Sequence, residues 1–227
     1  MARKKIIYII VEGPSDEVAL GAILARIFDT SKIYVEIMRC DITTKTGNTP
    51  SNIISKIGNQ IKKYAADNHY NKQHFQEIIH LVDTDGAYIA SSLVVENLEL
   101  SDHIYKSDRI EAPNAKGIID RNIQKSANMN KLFNTSNIWG LRYRVYYMSS
   151  NLDHVLHDKQ NSTNLEKEND AYCFAKKYKN DTTAFLSYIS SSEFSVGGNY
   201  IDSWNFIKDG ANSLNRHTNL GIHFSGE

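Results

Sequence analysis

Residues 6–11 (Ile-Ile-Tyr-Ile-Ile-Val) form an unbroken apolar run that stops abruptly at Glu12-Gly13-Pro14. A short run without polar alternation is what a central parallel strand needs, because helices cover both of its faces. Pro14 suits the first turn of a following helix. From Val18 the apolar residues recur at helical spacing (Val18, Leu20, Ile23, Leu24, Ile27, Phe28), which predicts an amphipathic helix. Residues 33–39 read as a second strand. After the polar stretch 43–50, Ser51 or Asn52 can cap a helix carrying Ile53, Ile54, Ile57, Ile61 and Tyr64. A third strand, Glu77 to Val82, ends on Asp83-Thr84-Asp85-Gly86. This alternation predicts an α/β fold with a parallel sheet and right-handed crossovers.

The pattern then loosens. Residues 88–137 are polar, contain Pro113 and Gly117, and look helical only around Ile118 to Leu132, so they read as an insertion. Order returns with a strand from Arg142 to Met148, followed by Ser149-Ser150-Asn151 and a short helix from Leu152 to His157. Residues 158–169 read as a solvated loop, and helices are expected from Ala171 to Tyr178 and around Thr182 to Ile189. The expected organisation is one domain over 1–157, interrupted at 88–137, with a C-terminal extension over 158–227 packed on it.

Composition narrows the function classes. Hydrophobic residues make up 41% and charged residues 23% of the 227, ordinary for a globular chain. Lys plus Arg equals Asp plus Glu at 26 each, so no basic excess advertises non-specific nucleic-acid binding. Cys40 and Cys173 make no CxxC pair, which points to a reduced, cytoplasmic setting. The opening apolar run is far below the roughly 18 residues a membrane span needs, so no membrane association is expected.

In an open α/β sheet, functional groups gather beyond the carboxyl ends of the strands. Glu12 and Asp16 follow the first strand, Asp83 and Asp85 the third, and Asp153 the strand ending at Met148. An isolated Asp-x-Asp-Gly is ordinary turn chemistry. Both motifs at apolar strand ends, in one β-α-β-α-β run, are more specific. Crowded carboxylates repel unless a cation is present, and hard oxygen donors suit Mg²⁺. His154 and His157 lie three apart, but the carboxylate-rich surroundings disfavour a transition-metal pair. Arg142 and Arg144 alternate with tyrosines, as a nucleic-acid surface would, although one face of such a strand packs in the core. Lys62, Lys63, Lys176 and Lys177 read first as solvated helix faces.

Val11-Glu12-Gly13-Pro14-Ser15-Asp16 and Val82-Asp83-Thr84-Asp85-Gly86 resemble the two signature motifs of the Toprim domain of topoisomerases, primases and several nucleases. The resemblance implies a Rossmann-like Toprim sheet, with Glu12 as general acid/base or metal ligand and Asp83 and Asp85 holding Mg²⁺. Asp16 matches the acidic residue four positions on. Within Toprim proteins the chain is most similar to the nuclease part of OLD-type enzymes and to RloB-like phage-defence nucleases. Met148 to His154 is similar to their third motif, which would make Asp153 and Ser150 ligands of a second ion. A downstream lysine near the scissile phosphate is also implied, with Lys159, Lys176 and Lys177 as candidates; Arg142 and Arg144 would add nucleic-acid contacts. The expectation is a nuclease with two Mg²⁺ or Mn²⁺ ions acting on DNA or RNA. No GxxxxGK[ST] loop occurs, so a separate ATPase partner is implied, as in antiviral systems. The competing expectation is a non-catalytic Toprim module that docks to a partner protein. Homo-oligomerisation is open on either reading.

Overall fold

A computed structural model describes residues 5–28, 33–39 and 41–225 of the chain. Cys40 and residues 1–4, which include Arg3 and Lys4, lie outside the described residues. In chain order the elements are β1 (Lys5–Val11), α1 (Pro14–Phe28), β2 (Ile33–Arg39), α2 (Ile53–Asp67), β3 (Phe75–Asp83), β4 (Val94–Glu96), β5 (Ile104–Tyr105), β6 (Ile110–Ala112), α3 (Ala115–Phe133), β7 (Asn137–Ile138) and β8 (Leu141–Met148). They continue with α4 (Leu152–His157), α5 (Asn164–Tyr178), α6 (Thr182–Ile189), α7 (Tyr200–Ile207) and α8 (Gly221–Phe224). The class is α/β, with a mostly parallel central sheet flanked by helices, compatible with a Rossmann-like fold.

The chain divides into two compact units. The first comprises Met1–Val82, Ala127–Val145 and Ala171–Thr182. It carries a five-stranded sheet in the order β2-β1-β3-β8-β7, apart from the last residues of β3 and β8, which run on into the second unit. β1 pairs in parallel with both β2 and β3, and β7 pairs antiparallel with β8. Ile6 to Val11 are each at most 2% exposed, as an apolar run with two covered faces requires. Each such side chain contributes about 1.5–3 kcal/mol on burial.

The second unit comprises Asp83–Ser126, Tyr146–Asp170 and Thr183–Glu227. It holds a small sheet in the order β4-β6-β5 around a core of Ile89, Val94, Tyr105, Ile110 and Leu214. The stretch that reads as an irregular insertion therefore has three short strands of its own, and α3 covers the helical pattern at Ile118 to Leu132. The strands escape sequence reading because two or three residues show no period.

The expected loop over 158–169 is also shorter than anticipated, since α5 starts at Asn164. Thr163 accepts from the Glu166 amide, while its own amide donates to the Glu166 carboxylate at 2.8 Å. This is a capping box, and Thr163-Asn164-Leu165-Glu166 is its sequence signature.

Candidate functional site

In the first unit, Glu12 follows β1 directly and is half-buried. The fully buried Thr43 hydroxyl lies 3.2 Å from both Glu12 Oε1 and Asp41 Oδ1. One hydroxyl carries one proton, so it donates to one of these carboxylates at a time. Two acids thus approach the same group, one just past β1 and one just past β2. Asp41 is the partner that the sequence reading missed, although it sits two residues beyond a strand end like the others. Asn128 Nδ2 donates to the Thr43 carbonyl at 2.8 Å and fixes this loop. Asp16 accepts from the Gly13 amide at 2.8 Å, the arrangement by which an acid in the first turn closes a helix start.

In the second unit, the Asp83-Thr84-Asp85-Gly86 turn is locked from several sides. The Thr84 and Asp85 amides donate to the Met148 and Ser150 carbonyls, each at 2.8 Å, in the ascending order of a parallel pair. The Thr84 hydroxyl donates to the Ser213 carbonyl at 2.9 Å and accepts from the Ser150 amide at 2.9 Å. Asp85 and Gly86 both take positive φ, at 48° and 65°. A Cβ on Gly86 would meet Leu214 Cδ2 at 2.5 Å, so glycine is required there.

The Asp85 carboxylate is held by residues of the supposed insertion. Lys125 Nζ donates to its Oδ2, and no part of the Lys125 side chain is exposed. The Tyr105 hydroxyl donates to Oδ1 at 3.3 Å. Arg121 donates to the Asp85 carbonyl at 2.8 Å and to the Tyr105 hydroxyl at 3.2 Å. Asn161 clasps Tyr105 through two hydrogen bonds of 2.8 Å to its backbone. Burial alone would favour a neutral Asp85, but the Lys125 ammonium and then the Arg121 guanidinium outweigh it and hold its carboxyl below the ordinary value. The same burial pushes the Tyr105 phenol well above its usual range.

The remaining predicted residues distribute as follows. Asp153, on α4, is buried; burial raises its carboxyl, and Lys167 Nζ at 3.7 Å works against that. Ser150 is fully buried, donates its hydroxyl to the Leu214 carbonyl at 3.2 Å and accepts from Gln160 at 3.2 Å. Lys159 pairs with Asp170 at 2.6 Å. Arg142 reaches Glu77 at 4.0 Å, while Tyr143, Tyr146 and Tyr147 are buried. Lys177 lies over the Tyr178 ring at 4.8 Å, and Lys176 is exposed on the same helix.

Glu12 and Asp16 belong to the first unit, and Asp83, Asp85 and Asp153 to the second. Among the described residues, no three His, Cys, Asp or Glu side chains form a group that could hold a metal ion. The donor type nevertheless fits Mg²⁺: an ionised carboxylate offers about four acceptor positions, and Lys125 and Tyr105 take two at Asp85. Among the described residues, no helix is long and apolar enough to cross a membrane. No protein-family model, no curated protein and no solved structure matches the chain.

Proposed function

We propose that the chain is a metal-dependent nuclease that hydrolyses phosphodiester bonds of DNA or RNA. The observation that carries this reading is the locked turn at the end of β3, which presents Asp85 in ionised form beside Lys125 and Arg121. Catalysis of phosphoryl transfer rests on positioning and on charge held in place beforehand, and both are present here. The resemblance to Toprim nucleases implies ligand roles for Glu12 and Asp16 in the first unit, ligand roles for Asp83, Asp85, Asp153 and Ser150 in the second, and two Mg²⁺ or Mn²⁺ ions. A bound divalent ion supplies Lewis acidity and an acidified water. The chain's own part is to hold Asp85 charged through Lys125, to fix its backbone through Arg121, and to keep the turn from relaxing through Thr84. The same resemblance extends the proposal to an antiviral effector working in the cytoplasm with a separate ATPase. Cleavage of DNA and RNA in Mg²⁺ or Mn²⁺ tests the activity, compared with Asp83→Ala and Asp85→Ala. Co-purification with an ATPase encoded nearby tests the partner.

One observation favours a second reading. Lys125 already neutralises Asp85 without any ion, as a structural ion pair in a non-catalytic module would. A Mn²⁺ titration followed by thermal unfolding separates the two, because a true site stabilises the fold by mass action and a structural pair does not respond.

A further inference from the structure

A groove of about 580 Å³ in the first unit lies within the size range of small-ligand sites. Its lining includes Asn59 and Lys62 from α2, Lys131 from α3, and Asn134, Asn137 and Trp139 beyond it. Among the described residues lining it there is no aspartate or glutamate. In a chain whose acids and bases balance at 26 each, a carboxylate-free lining with two lysines is a local anion-attracting surface. Around it stand amide side chains, which can both donate and accept, and one indole.

Trp139 occupies a position that its size makes costly. Ile138 and Leu141 pair antiparallel, and the two residues between them, Trp139 and Gly140, have φ of 53° and 66°. That is the pattern of a two-residue type I′ hairpin, whose first position normally takes Asn, Asp or Gly. A bulky residue at positive φ is an outlier that persists only where the surroundings hold it, and such strain clusters at ligand sites. Here the indole packs against Phe75, with centroids 5.7 Å apart, and lines the groove. The next residue, Gly140, takes a φ of 66° that L side chains rarely adopt, so glycine suits it.

We propose that this groove binds an unpaired segment of nucleic acid, with phosphates at Lys62 and Lys131 and a base stacked on Trp139. Stacking on an aromatic ring needs a base free of its partner, so a single strand is favoured over a duplex. The inference rests on the nuclease reading for its substrate class and adds the strand state.

The full chain carries its own reporter. Of its two tryptophans, Trp204 is wholly buried in the second unit, while Trp139 lines the groove. In EDTA, a short oligodeoxythymidylate is expected to quench Trp139 fluorescence. Lys62→Glu with Lys131→Glu is expected to weaken binding about tenfold or more, and Trp139→Ala by a similar factor read by anisotropy. Both lysines are exposed, so an unchanged melting temperature is the folding control for the double variant. Wild-type affinity in either variant would overturn the proposal. So would equally tight binding of the matching duplex, of thymidine monophosphate or of polyglutamate. Cleavage that depends on Asp83 and Asp85, with binding blind to Lys62 and Lys131, sinks the groove alone. Binding through the groove without divalent-dependent cleavage sinks the nuclease reading and leaves the groove standing.

Discussion

The Lys125 ammonium, wholly shielded from solvent, donates to the Asp85 carboxylate, whose side chain remains 22% exposed. Removing one partner of a buried pair strands the other charge, at a cost of about 3–5 kcal/mol. With Asp85 partly exposed and still touched by Tyr105 and Arg121, Lys125→Met is expected at the lower end, about 3 kcal/mol. Adding Asp85→Asn should recover part of that loss, because the stranded charge is then gone. Urea unfolding of the single and double variants in EDTA measures both quantities. Additive losses would mean that the pair is not coupled.

Stability should fall in mild acid through His154. Burial pushes its imidazole down to about 4 from 6.5, with Asp158 only partly offsetting this. As pH drops, the unfolded chain takes up the proton first. The contribution is therefore complete above about pH 6.5 and is lost as pH falls towards 4, by up to about 1.4 kcal/mol per unit. His154→Gln, neutral throughout, should flatten the difference in urea midpoint between pH 7.5 and pH 5 in metal-free buffer. His157 and His217, also lowered by burial, remain in both proteins, so some slope persists. An unchanged slope would contradict the assignment to His154.

At the β7–β8 turn, two effects of similar size oppose each other. Relieving a left-handed non-glycine residue gains about 1–2 kcal/mol, and losing an aromatic pair costs about 0.5–1.5 kcal/mol. Trp139→Asn should therefore change stability by less than about 1 kcal/mol while weakening oligonucleotide binding about tenfold by anisotropy. A loss of several kcal/mol would make Trp139 a core residue rather than a binding one.

Much of the fold was legible because its signals are local. Ile6 to Val11, the helical stripe from Val18 to Phe28 and the capping residues before Ile53 each announce an element over a few residues. The turn at Asp83 to Gly86 was legible for the same reason. Lys125 was not, because its role depends on a contact 40 positions away. One trace of it exists in the sequence: Lys125 shares the helical spacing of Met129 and Leu132, all three are buried on α3, and a buried lysine signals a paired charge. Asp41 was passed over because it belongs to no motif, although it follows a strand end as Glu12 does. Ser150, read as a ligand by resemblance, spends its hydroxyl on the Leu214 carbonyl, a bond that only the fold brings about.

The central claim is that Asp83 and Asp85 serve phosphodiester hydrolysis. The most direct test is cleavage of labelled single-stranded DNA and RNA in Mn²⁺ by the wild-type chain and by Asp83→Ala and Asp85→Ala, with EDTA as the blank. The expected result is divalent-dependent cleavage that falls at least about a hundredfold in each variant, the usual scale for losing a preorganised charge at a reacting centre. Cleavage by the variants at the wild-type rate, or no cleavage by a folded wild-type chain in any divalent ion, with or without a co-purified ATPase, would contradict it.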